Sequence, residues 1–266
     1  MQWFFTADLH FNHANIIKYC KRPFLDRSSM ELCDLASRGS IPYSDIVVPQ
    51  SSVELMNEAI VSSINKSVGR QDSLVVLGDF LFAKKKDMSS EYGRLRSMIN
   101  CENVYLILGN HDCRDSASPH FKACWDNYLF KIDGRQVFCS HYPARSWDRV
   151  SHGAYMLYGH VHNGLWNEDN GRLGAYSRHT LSSGFEHVLR NRFGQVDHGI
   201  VDELLSVCES LHGHDLTMDV GVDNQREGVP FGTPWSMSDI SLHMEAKRSA
   251  WEYRRTQSQF LSGNAT

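Results

Sequence analysis

Apolar and polar positions alternate in blocks along this chain. Short continuous apolar runs, rich in β-branched and aromatic residues, cover Trp3 to Ala7, Ser73 to Leu77, Asn103 to Leu108, Gln136 to Cys139 and Ala154 to Tyr158. Runs of this length that stop at polar, often glycine-containing clusters predict strands buried on both faces. Between them the period changes. Val53, Met56, Ile60 and Ile64 repeat at helical spacing within Ser52 to Val68, with Gly69 as a stop signal, and Met88 to Ile99 is a second predicted helix.

Alternating helices and strands early, then closer-spaced strands, predict an α/β fold with two packed mixed β-sheets flanked by helices, a four-layer α/β/β/α sandwich. Two polar helix-like stretches, Ser183 to Arg192 and Ile200 to Leu211, interrupt the rhythm and suggest an insertion at 170–215. Thr217 to Val222 resumes it as a strand. A C-terminal helix begins at Ser238 in the segment SDIS and runs towards Arg255, about 238–256. The expectation is one domain over 1–266, with the insertion or the C-terminal helix as the surface for any homo-oligomer. Val201, Leu204, Leu205, Val207 and Leu211 repeat as a core or subunit contact does.

Composition narrows the function. A chain that is 41% hydrophobic and 22% charged can bury a sizeable core. A net charge of −4 argues against an extended nucleic-acid partner, which normally meets a basic face. No 18-residue apolar run is present, so no membrane partner is expected. Seven cysteines without a Cys-x-x-Cys pair fit a reducing cytoplasm better than a disulfide framework, and the first apolar stretch is too short for a signal sequence.

The chemistry-bearing residues fall at strand ends, where open α/β folds gather ligand sites. Asp8 and His10 follow the first strand, two residues apart, which on extended backbone puts them on one face. Gly78-Asp79 follows LVVL, and the glycine lets the chain turn sharply. Gly109-Asn110-His111-Asp112 follows VYLIL, Ser140-His141 ends QVFC, and Gly159-His160-Val161-His162 ends AYMLY. By strand alternation His160 and His162 share a face. Each motif alone could be a polar strand end, a turn or a helix cap. Five strand ends each delivering metal-ligand types point to a metal site.

In this order the motifs resemble the calcineurin-like metallophosphoesterase superfamily: Asp-x-His, Gly-Asp, Gly-Asn-His-Asp/Glu, a lone His, then Gly-His-x-His. The resemblance covers 1–166, resumes at DVGVD (219–223), and is closest to small bacterial and phage members with a segment like DLHFNHANII. It implies two divalent transition-metal ions, with Asp8, His10 and His162 on the first, Asn110, His141 and His160 on the second, and Asp79 bridging. Mixed N and O ligands suit Mn²⁺, the preferred choice, as well as Fe, Ni²⁺ or Zn²⁺. Two such ions, about 3.5–4 Å apart, activate a hydroxide and clamp the attacking and leaving oxygens. His111 then takes the role of general acid, with Asp112 orienting its ring.

The implied reaction is phosphoester hydrolysis, with a phosphodiesterase of nucleotide-like substrates such as a cyclic nucleotide or cyclic dinucleotide preferred. The alternatives are a phosphomonoesterase or protein phosphatase, a nuclease, and a metal-bound interaction module without catalysis. One departure from the family pattern is Phe80-Leu81-Phe82, where relatives often carry a polar residue soon after Gly-Asp. Around the motifs, Asn12, His13 and Arg145 are candidate substrate contacts. Asn12 could instead start a helix and Arg145 could pair with Asp148. Lys84, Lys85 and Lys86 read as a solvated loop.

Overall fold

The computed structural model describes residues 1–144, 146–162, 178–201, 216–224 and 226–262. Its elements are β1 (Trp3–Thr6), α1 (Ala14–Tyr19), α2 (Arg27–Ser37), α3 (Gln50–Ser67), β2 (Ser73–Leu77), α4 (Met88–Ser97), β3 (Asn103–Ile107), α5 (Arg114–Ala117), β4 (Cys124–Trp125), β5 (Asn127–Ile132), β6 (Arg135–Ser140), β7 (Tyr155–Tyr158), α6 (Arg178–Phe193), β8 (Thr217–Asp219), β9 (Trp235–Ser236) and α7 (Met237–Ser262).

The strands form two mixed sheets flanked by helices. One has the order β4-β3-β2-β1-β9, parallel except for β9; the other has the order β5-β6-β7-β8, parallel except for β5. Period-two alternation assigns each strand's two faces to different cores. In β2, Leu74 and Val76 pack with Val53, Met56, Ile60 and Ile64 of α3 and Tyr92 and Leu95 of α4. Val75 and Leu77 face the other way, into the layer between the sheets, where they meet Val137, Cys139, Tyr155 and Leu157. The second sheet's outer face packs Met156 and Tyr158 against Trp147.

Helix α7 reaches the layer between the sheets with Ile240 and Met244. Its first residue, Met237, lies one position before the Ser238 of the SDIS reading, and the helix runs on to Ser262. Asp239 N–H donates to Ser236 Oγ (3.1 Å) and Ser236 N–H to Asp239 Oδ2 (3.2 Å), so Ser236 rather than Ser238 makes the reciprocal cap. The stretch Ser183 to Arg192 lies within α6, whereas most of Ile200 to Leu211 lies outside the described residues.

The parallel strands of both sheets end on one rim. Ala7, just past β1, bridges to Gly221, just past β8, and Val222 N–H donates to Ala7 O at 3.1 Å. The loops that carry the five motifs therefore converge where the two sheets touch. Among the described residues no helix is long and apolar enough to cross a membrane.

Candidate metal centre

The first motif loop does not use strand alternation. Asp8 (φ 56°) and His10 (φ 48°) are both left-handed, as are Asp79 (53°), His160 (71°) and His162 (49°). Such conformations cost about 1–3 kcal/mol each for non-glycine residues and persist only where the surroundings dictate them. Here the loops after β1 and β2 dictate one another: Asp8, His10 and Phe11 N–H donate to Gly78, Asp79 and Phe80 carbonyls at 2.9–3.0 Å. Gly78 (φ 88°) is required twice over, because a Cβ there would lie 2.3 Å from His141 Nδ1.

The same backbone overturns the expectation that His160 and His162 share a face. His162 gathers with Asp8 and His10, while His160 gathers with Asp79 and His141, each set having potential ligand atoms within 4.8 Å of one another. A third set, His10, Asp79 and His111, overlaps both. Asp79 is at the middle: its Oδ2 lies 3.4 Å from His10 Nε2, 3.5 Å from His141 Nε2 and 4.0 Å from His111 Nε2. Asn110 Oδ1 lies 3.2 Å from His141 Nε2.

These groups fit cations. His10 Nε2 is buried without a hydrogen-bond partner, an arrangement that is costly unless something else accepts its lone pair. Burial holds His10 and His160 below the usual imidazole range, keeping both neutral and able to ligate. His141 Nδ1–H donates to Leu77 O (2.9 Å), leaving Nε2 as the ligating nitrogen. Burial also pushes the Asp8 carboxyl well up, against the opposing pull of His162 and with help from Asp219 and Asp79, a surplus of carboxylate that a divalent ion relieves.

Two expectations fail in the structure. Asp112 does not orient the His111 ring: its oxygens accept Gly109 N–H (2.8 Å), Asp79 N–H (2.8 Å), Phe80 N–H (3.1 Å) and Tyr92 O–H (2.6 Å), so it ties two motif loops together from behind. Asn12 is not available to a substrate, since its amide donates to Glu91 (2.8 Å) and accepts from Asn57 (2.8 Å). It does not start α1 either, because His13 precedes that helix. Arg145 lies outside the described residues.

His13 does reach the site. Its Nδ1 is 3.4 Å from His10 Nδ1, its ring stacks on Phe82 at 4.4 Å, and burial lowers its pKa to about 4. Phe82 is 47% exposed, and Tyr142, 48% exposed, stands 4.7 Å from the His160 ring on the other side. Phe80 and Leu81, the apolar departure after Gly-Asp, are fully buried in the core. Lys84, Lys85 and Lys86 are solvent-exposed.

The sequence profile described as calcineurin-like phosphoesterase matches residues 4–215. The chain belongs to this family. It is thus a metal-binding phosphoric ester hydrolase by family, with the divalent-ion requirement its clustered ligands suit. An uncharacterized protein of Methanocaldococcus jannaschii is 28% identical over 159 residues, 60% of this chain and 68% of that protein. The fold is shared with a protein of unknown function from Aquifex aeolicus, with a TM-score of 0.51, 17% identity, and coverage of 90% of this chain and 97% of that one. A novel archaeal phosphodiesterase aligns at a TM-score of 0.30 and 15% identity over 65% of this chain and 80% of its own.

Sequence reasoning missed Arg22. Its guanidinium is fully buried and pairs with Asp223 through Nε (2.9 Å) and Nη2 (2.8 Å). Burial alone would raise the Asp223 carboxyl, but Arg22 and His162 outweigh it and hold it well below the usual range. No periodicity marks a residue whose partner is 201 positions away. The RPF segment offered only an arginine in an apolar context as a signal.

Proposed function

We propose that the protein is a dinuclear phosphodiesterase acting on small nucleotide-like substrates. The carrying observation is the position of Asp79, whose Oδ2 is within 3.5 Å of histidines from two separate ligand sets. Asp8, His10 and His162 would hold one ion and Asn110, His141 and His160 the other, with Asp79 between them. When bound, two divalent cations lower the pKa of water and neutralise charge at phosphorus.

The chain's own residues supply the rest. His111 has its side chain 32% exposed and its Nε2 4.0 Å from Asp79, which supports its reading as the group that would hand a proton to the departing oxygen. Exposed Phe82 and Tyr142 offer apolar rings at the mouth, on which a nucleobase can stack. The acidic net charge supports a small substrate over a long nucleic acid. The described cysteines form no disulfide, with Cys101 and Cys139 buried in the core, which accords with a reducing compartment.

The test is hydrolysis of bis-p-nitrophenyl phosphate against p-nitrophenyl phosphate with Mn²⁺, followed by mass-spectrometric screening of cyclic and linear nucleotides. Diester activity with a nucleotide product is expected. Monoester activity alone would replace the phosphodiesterase reading, and inactivity on both would favour a non-catalytic metal-binding role.

A further inference from the structure

The Arg22 guanidinium spends its donors on one half of the site. Besides Asp223, it bonds Leu9 O through Nη1 (3.0 Å) and Asp8 O through Nη2 (2.7 Å). Those carbonyls belong to the left-handed segment at Asp8 and His10, where the backbone departs from regular strand pairing. Asp223 in turn accepts from His162 Nδ1 at 2.7 Å, which leaves His162 Nε2 with the ligating lone pair. One buried cation thus fixes the backbone of Asp8 directly and the ring of His162 through a shared carboxylate. Among the described residues, neither Arg22 nor Asp223 hydrogen-bonds Asn110, His141 or His160.

We propose that Arg22 and Asp223 are positioning residues that set the metal affinity of the Asp8–His10–His162 group and not that of the Asn110–His141–His160 group. The inference rests on the two-ion reading above. Arginine is required by shape as well as charge. A planar fork can meet a carboxylate side-on and still reach two carbonyls, whereas a lysine ammonium is a single point with three donors and cannot span all four bonds.

Arg22→Met leaves a buried carboxylate without its counter-ion, so the charge-keeping Arg22→Lys leads the test, and Asp223→Asn, which leaves the buried guanidinium without its carboxylate, is the second variant. The full chain, stripped of metal, is titrated with Mn²⁺ by calorimetry and followed by electron paramagnetic resonance, with thermal melting as the fold control. The wild type should take two ions and show a spin-coupled signal. Each variant should keep one ion at wild-type affinity and bind the other about 10–100-fold more weakly, the usual effect of losing an outer partner of a ligand. At intermediate Mn²⁺ the coupled signal should give way to that of an isolated ion.

Adding His160→Ala to Arg22→Lys identifies the ion, since the double variant should then hold neither tightly. A wild-type stoichiometry of one overturns the two-ion reading and this inference with it. Two ions in the wild type, with unchanged affinities in both variants despite a lower melting temperature, overturn this inference alone. Equal weakening of both ions, or a double variant that still holds one tightly, also overturns it.

Discussion

Asp8, His10 and His162 lie in closed surroundings: the first two are buried, and His162 is backed by Asp223 and, behind it, Arg22. Across Asp79, His141 is equally buried, yet Asn110 and His160 are exposed to solvent. The difference is one of enclosure at similar ligand chemistry. A closed, braced group suits an ion that stays in place, while an open one leaves room beside it for a phosphate oxygen and a leaving group. Exposed Phe82 stacks on His13 beside the closed half, and exposed Tyr142 stands beside His160 of the open one, so the two rings flank the site from opposite sides.

The largest effect should come from the residue common to both halves. On the proposed two-ion reading, Asp79→Asn would weaken the link between the ions and remove a buried negative charge from between them, so turnover should fall by about 10²–10³-fold, the scale of losing a principal electrostatic element. Metal content, measured alongside activity, decides the matter. Near-normal turnover with both ions retained excludes the bridge.

His111 stands beside Asp79 and His10 and its side chain is partly exposed, so on the acid reading His111→Ala should leave both ions bound while slowing cleavage about 10²–10⁴-fold. Nitrophenolate departs without a proton, whereas a ribose alkoxide needs one. The variant should therefore harm a nucleotide diester more than an activated aryl ester. Equal losses remove His111 from the acid role, and loss of an ion makes it a ligand of the His10–Asp79–His111 set instead.

Graded chelation sharpens the contrast between the halves. The braced group should hold its ion about 10–100-fold more tightly, since that is what outer partners usually contribute to affinity. Mn²⁺ should leave in two steps as chelator rises, as read by elemental analysis. Release of both at one chelator concentration would mean that the bracing does not distinguish the halves.

Much of this arrangement was legible in the sequence for a physical reason. Apolar runs mark strands, so β2 is legible to the residue and β1, β3, β6 and β7 to within one residue at each end; β2 and β7 are buried along their whole length, whereas β3 and β6 alternate buried with half-buried positions. Strand β5 was not, because Asn127 and Tyr128 are exposed and its apolar content is diluted. The Asp133-Gly134 turn behind it, with both φ values positive, was the available signal. The site's residue types could be read because metals demand particular donors. Their grouping could not be read from alternation, because left-handed backbone at His160 and His162 sends neighbours to different sets. Asp112 was misread for a related reason: a carboxylate beside a histidine in sequence is bound by backbone N–H groups of a neighbouring loop in space.

That last correction yields the smallest predicted effect. Tyr92 is buried in the helix-side core, and its O–H donates to Asp112 Oδ1 at 2.6 Å. Tyr92→Phe removes that bond while keeping the ring that stacks on Phe80. A hydrogen bond to a charged group contributes about 1.5–3 kcal/mol, so the melting temperature should fall measurably. Asp112 would still accept three backbone N–H groups, at Gly109, Asp79 and Phe80, so the two loops should stay joined. Turnover with both ions loaded should therefore stay within a few-fold of wild type. If Tyr92→Phe instead lowers kcat as far as His111→Ala does while leaving the melting temperature unchanged, Asp112 belongs to the chemistry and its role as a tie between loops is wrong.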